Sequence, residues 1–239
     1  DQSFEKRKNR KNALLLLKAE RKMNMILEKT YTAASEFDAA MTAARETFQS
    51  AKKEINAIFK SPTVETKIAE VKAVYESTVA DQRQKVREAV AADMSDTRRK
   101  VNEFVSVAPP ADFAATLAAL QAKGERISDY ESRAFLDKYK GNYLAFTTLV
   151  DVLHSVHKAV DVLPVKPDEM EEEISRIERM VLNWTQNYTG GEYMTALLTD
   201  KTHSPILKVG AAVQSFVDGN FVVSGDSEAV AAAIARMNG

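Results

Sequence analysis

The sequence predicts an all-α protein: a long antiparallel helical hairpin of coiled-coil character followed by a C-terminal bundle of shorter helices. Three observations carry that expectation. Apolar and small residues recur in steps of three and four over two long stretches, a single Pro-containing break separates those stretches, and the 239 residues include only 8 Gly, none before Gly124. Steps of three and four keep one stripe on one face of a helix, and scarce Gly argues against a sheet-rich or phosphate-loop fold.

The first seam runs through Ile26, Thr30, Ala33, Phe37, Ala40, Ala44, Phe48, Ala51, Ile55 and Ile58, with one stutter. Neither Gly nor Pro interrupts it. Lys60-Ser61-Pro62-Thr63 then breaks the pattern, with Ser61 suited to capping and Pro62 to a first helical position. A second seam follows through Val64, Ile68, Val71, Tyr75, Val79, Val86, Val90, Met94, Val101 and Phe104, closing at Ala108-Pro109-Pro110. So short a turn makes the two helices antiparallel neighbours. Their seam is rich in Ala, which permits close approach but buries little area. A further helix, a second copy of the chain or the C-terminal half is expected to cover it. Phe37, Phe48, Ile55, Tyr75 and Val86 are the larger side chains through which a protein partner or a second copy would bind.

Pro109-Pro110 divides the expected organisation into residues 1–108, a basic N-terminal helix with the hairpin, and residues 109–239, a compact helical bundle. Phe113, Leu117 and Leu120 make a short helix ending at Gly124. Ser128 and Glu131 have capping-box spacing and open a helix that Gly141 stops. Phe146, Leu149, Val150, Leu153, His157 and Val160 form the next stripe, ending before Pro164. Pro167 opens the cleanest amphipathic face, through Met170, Ile174, Ile177, Val181, Trp184 and Tyr188. Another helix is expected from Pro205 through Val217, then an extended piece at Phe221-Val222-Val223 and a last helix from Ser227 to Met237.

Charge is balanced over the whole chain, with 33 Lys+Arg against 34 Asp+Glu, but unevenly placed. Residues 1–60 carry a net of +5, residues 61–160 a net of zero and residues 161–239 a net of -6. The absence of cysteine excludes disulfides, thiolate metal sites and thiol nucleophiles. No apolar run is long enough to cross a bilayer, so no membrane partner is expected. The chain begins at Asp1, so a processed leader and secretion stay open beside a cytoplasmic or virion-associated location.

Three clusters bear on chemistry. His154 and His157, with Asp151 and Asp161, lie close enough on one helix to share a metal, but imidazole sites need a further ligand. A core His157 held by Asp161 is the preferred reading, with no metal and no cofactor. The basic run Lys6, Arg7, Lys8, Arg10 and Lys11 would suit a nucleic acid or another anionic surface, although only Phe4 lies beside it for base stacking. The acidic run Asp168, Glu169, Glu171, Glu172 and Glu173 sits where carboxylates oppose a helix dipole, and capping accounts for it. With none of the common catalytic motifs, three histidines and no cysteine, the chain reads as a non-enzyme.

The stretch Ala111-Asp112-Phe113-Ala114-Ala115-Thr116-Leu117, with Tyr130-Glu131 and Lys138-Tyr139-Lys140-Gly141-Asn142-Tyr143, resembles small helical structural or assembly proteins encoded in phages and prophages of Gram-positive bacteria. The resemblance extends in character over residues 64–200. It implies a virion-associated or scaffold component and carries over no functional residue. The expected function is therefore that of a non-enzymatic interaction protein in an assembly. The alternative is a nucleic-acid or anionic-surface binding module led by the basic N-terminus.

Overall fold

The structure is a computed structural model that describes residues 26–156, 162–188 and 193–224. Within them the protein is all-α apart from one pair of three-residue strands. The helices are α1 (Glu28–Ile58), α2 (Thr63–Val105), α3 (Phe113–Lys123), α4 (Asp129–Tyr139), α5 (Tyr143–Ser155), α6 (Pro167–Gln186), α7 (Tyr193–Thr199) and α8 (Pro205–Val217). A single 3-10 turn, Gly124–Arg126, joins α3 to α4. The strands β1 (Val162–Pro164) and β2 (Val222–Ser224) pair antiparallel, Leu163 opposite Val223. The expected helix Ser227–Met237 and the residues Val160, Gly190 and Gly191 lie outside the described residues.

With no helix breaker inside them, α1 and α2 run for 31 and 43 residues, or about 46 and 64 Å at ~1.5 Å per residue. They lie side by side and antiparallel: Thr30 meets Asp93 and Phe48 meets Tyr75, each pair of residue numbers adding to 123. Helix α1 ends at Ile58, one residue before Phe59 turns to an extended conformation. Pro62 stands just before α2, not at its first position, and the Ser61 hydroxyl bonds the Glu65 carboxylate instead of capping the backbone. Ile58, expected on the seam, is the last residue of α1 and is 72% exposed.

Helix α6 lays its apolar stripe on the pair. Met170, Ile174, Ile177, Val181, Trp184 and Tyr188 are all buried, and two arginines of α2 clamp the helix along its length. Arg98 bonds Glu171 at 2.8 Å, Ser175 at 3.1 Å and Glu178 at 2.8 Å. Arg83 donates to the Thr185 and Gln186 carbonyls at the far end, at 3.1 and 2.8 Å. Those carbonyls lack partners within the helix, so Arg83 serves as its C-terminal cap. Helices α7 and α8 pack on α1 from the same side. Helix α8 comes so close that a Cβ at Gly210 would run into the Ile26 carbonyl oxygen.

In the bundle, Ser128 and Glu131 form the expected capping box at the start of α4. Asn142 caps α5 through the Ala145 N–H at 2.8 Å and donates back to the Val107 and Ala108 carbonyls, which ties α5 to the end of α2. Helix α5 stops at Ser155, earlier than its apolar spacing suggested. Residues 162–164 leave the helical pattern because they find an edge to pair with, at Val222–Ser224. An aromatic cluster of Phe104, Tyr143, Phe146, Phe216 and Phe221 fills the space beneath that pair, with ring centroids 5.1–6.3 Å apart. The buried cluster is continuous from Ile26 to Phe221 and crosses Pro109-Pro110.

Candidate interaction site

The two ends of the α1–α2 pair have different surroundings. Near the start of α1, the face carrying Ala34, Met41, Val90, Met94 and Val101 is buried. Phe37 is 1% exposed and meets the rings of Trp184 and Tyr188 edge-on at 5.3 and 5.2 Å. Asp38 accepts from the Tyr188 hydroxyl at 2.7 Å, and the Arg45 guanidinium lies 5.9 Å from the centre of the same ring. Burial first, and then the Asp38 carboxylate, raise the Tyr188 pKa above its ordinary value.

A buried polar pair registers the two helices at this end. The Thr30 N–H and the Thr30 hydroxyl both donate to Asp93 Oδ2, each at 2.8 Å. Thr30 lies in the first turn of α1, whose N–H groups have no partner inside the helix. Asp93 therefore caps α1 from the neighbouring helix, and its negative charge opposes the positive end of the helix dipole. Thr97 donates to the Asp93 carbonyl at 2.7 Å one turn further on. Asp93 and Thr97 sit at seam spacing opposite Thr30, so two polar seam positions facing a third were a readable signal of a pairing register.

Past Arg45 on α1 and Arg83 on α2 the bundle's contacts give out. Of the described residues between Thr42 and Lys85, Ile55 alone is buried. Phe48 and Tyr75 are half-buried and stack on each other, centroids 5.2 Å apart and 28° between planes. Beside them lies a shallow groove of about 310 Å³, lined by Ala40, Ala43, Ala44, Thr47, Phe48, Val71, Val74, Tyr75 and Thr78. Val74 is 67% exposed on its rim, and Ile58 and Phe59 add exposed apolar surface at the tip.

The expected partner-binding residues thus fall into two groups. Phe37 and Val86 are enclosed by the bundle side of the protein, Val86 at 2% exposure, and no partner reaches them in this fold. Phe48, Ile55 and Tyr75 lie in the distal segment. Exposed Val74 and Ala43, off the expected seam, were not among the residues singled out, because they flank the contact line between the helices.

The other candidates come to little as sites. His154 is exposed near the end of α5, and His157 and Asp161 lie outside the described residues. His203 is exposed and bonds Asp200 at 3.0 Å, a contact that first among several lowers the Asp200 pKa. Among the described residues, no three His, Asp or Glu side chains come together to hold a metal, and no helix is long and apolar enough to cross a membrane. Lys6, Arg7, Lys8, Arg10 and Lys11 lie outside the described residues. The acidic run is occupied structurally: Glu171 takes Arg98, Glu173 takes Arg176, and Glu169 accepts from the Lys166 N–H. Burial opposes the Arg98 charge, but Glu178 and Glu171 outweigh it and raise the Arg98 pKa.

The chain matches no known protein family, no curated protein and no solved structure.

Proposed function

We propose that this protein is a non-enzymatic interaction protein of a macromolecular assembly, and that its α1–α2 pair serves as a coiled-coil-like hairpin whose distal segment docks protein partners. The observation that carries the reading is the change in surroundings along the pair. One end is locked by Asp93, Arg83 and Arg98, while the other keeps Val74, Ile58 and Phe59 in water. Single exposed apolar residues are ordinary on a protein surface, whereas apolar residues gathered along a groove mark interaction sites. A small-residue groove suits a partner helix, which lays an apolar face into it. The resemblance to phage structural and assembly proteins favours a virion or scaffold setting.

Site-specific photo-crosslinking tests this reading. A photoreactive residue at Val74 should yield protein adducts in extracts of the source cells, and the same group at Tyr130, an exposed site on the bundle, should yield none. Adducts at Tyr130 alone, or at neither site, would contradict a docking role for the distal segment.

A further inference from the structure

The groove belongs to a longer face with charges at both ends. On α1, steps of three and four from the groove residues Ala40, Ala43 and Thr47 reach Glu36 on one side and, through Ser50, Glu54 on the other. On α2, the same stepping from Val71, Val74 and Thr78 reaches Lys67 and, through the exposed Asp81, Lys85. At about 100° per residue each set shares one flank of its helix. That flank lies opposite Ala34, Met41, Val90 and Met94, the side the bundle covers. Glu36, Glu54 and Lys85 are exposed, and Lys67 is half-exposed with Glu70 at 2.8 Å.

We propose that this face joins two copies of the chain, α1 of each lying over α2 of the other about a two-fold axis parallel to the helices. The proposal rests on the docking role given above and names the partner. The antiparallel register sets the arithmetic. With facing residues adding to 123, Glu36 is level with position 87 and Glu54 with position 69, each two residues from a lysine. Two residues along a helix amount to about 3 Å. A two-fold axis along the helices keeps every residue at its own height while exchanging α1 for α2. Glu36 of one copy then stands over Lys85 of the other, and Glu54 over Lys67, with each pair formed twice.

The competing arrangement, with the axis across the helices, sets α1 on α1 and α2 on α2. It brings Glu36 near Glu54 and Lys67 near Lys85, like against like. Exposed ion pairs add little affinity but choose between such registers. Attraction comes from Val74, Val71 and the close approach that Ala40, Ala43 and Thr47 allow. The bundles, on the covered side of each pair, stay at the outside of the dimer.

Sedimentation equilibrium of the full chain and its variants decides the matter. The protein should exchange between monomer and dimer, and Val74→Asp, at a position already in water, should weaken the dimer at least ~tenfold with helical content unchanged. Glu36→Lys and Lys85→Glu should each weaken self-association by roughly tenfold, since each places like charges together twice. An equimolar mixture of those two variants should recover to within about threefold of the parent, because a mixed dimer has opposite charges at both contacts while any clash inside a chain persists. A mixture no tighter than its components overturns the proposal, as does a chain that stays monomeric at every concentration. Mass analysis of the Val74 photo-adduct separates this failure from that of the docking role. An adduct of two copies supports the dimer. An adduct to an unlike protein overturns the dimer and keeps the docking role, whereas an adduct to residues 1–25 of the same chain overturns both.

Discussion

Helices α1 and α2 carry seams of similar spacing from end to end, yet one half is enclosed and the other stands in water. In the enclosed half the contact line is widened by a second buried face, Ala34 and Met41 on α1 with Val90, Met94 and Val101 on α2, which α6, α7 and α8 cover. In the distal half Phe48, Ile55 and Tyr75 lie along the line between the two helices, and the flanks, where Val71 and Val74 join Ala, Thr and charged side chains, are covered by no other helix of the described residues. The difference teaches that seam spacing fixes which helices meet. Burial beyond the seam depends on what the rest of the chain brings to it.

Breaking each half by the same substitution gives the largest contrast. Phe37→Ala should cost about 3–5 kcal/mol, because a fully enclosed ring is lost between Trp184 and Tyr188. Phe48→Ala removes a half-buried ring stacked on Tyr75 alone and should cost roughly half as much, ~1–2 kcal/mol. Urea titrations of both variants measure the two losses, and equal losses would show that the distal ring is as well supported as the proximal one.

Gly210→Ala comes next. The added methyl has no room beside the Ile26 carbonyl oxygen, which is backbone and cannot rotate away. Overpacking of this kind should lower stability by about 1–3 kcal/mol. The same change at Gly141, where a Cβ meets open space, should be neutral or favourable by a few tenths of a kcal/mol, as is about usual for Gly→Ala without strain. Thermal unfolding of the two variants side by side checks the pair.

Asp93→Ala probes the lock between the helices. It strands the Thr30 N–H and hydroxyl in a buried site, at a cost of about 1–3 kcal/mol. Asp93→Asn keeps an acceptor oxygen but removes the charge at the α1 dipole and should cost about 0.3–1 kcal/mol. A larger loss for Asn than for Ala would contradict the capping role.

The smallest effect concerns the bundle surface. Lys123 first, and then the Ser128 N–H and hydroxyl, hold the Glu131 carboxyl at a pKa of about 2. A carboxyl whose pKa is lower folded than unfolded contributes stability above its unfolded value and loses it as pH falls. The parent should therefore lose stability more steeply than Glu131→Gln between the ordinary carboxyl value of 4.5 and about 2. Acid titration of unfolding reads the difference, and parallel curves would remove this residue from the acid response.

Helix α6 was legible because its stripe is unbroken over 20 residues and every stripe position is filled by a large side chain. The Ser128–Glu131 box was legible because the motif is local. Helix α7, seven residues from Tyr193 to Thr199, is too short to show a period and owes its form to packing on α1. The β1–β2 pair joins segments some sixty residues apart; the extended piece at Phe221-Val222-Val223 was legible and overlaps β2, whereas β1 alone does not differ from the end of an apolar helix. The contrast between Phe37 and Phe48 was not legible for the same reason: the rings that enclose Phe37 are Trp184 of α6 and Tyr188, two residues past its end. Arg83 and Arg98 likewise became clamps only once α6 was laid against them.

Amide hydrogen exchange along α1 and α2 tests the central claim most directly, since local opening free energies fall where buried contacts are few. The account predicts slow exchange for residues 30–41 and 86–101. It predicts exchange at least ~tenfold faster for residues 44–58 and 63–79 in dilute protein, slowing as concentration rises. Uniform protection from end to end at every concentration would contradict it.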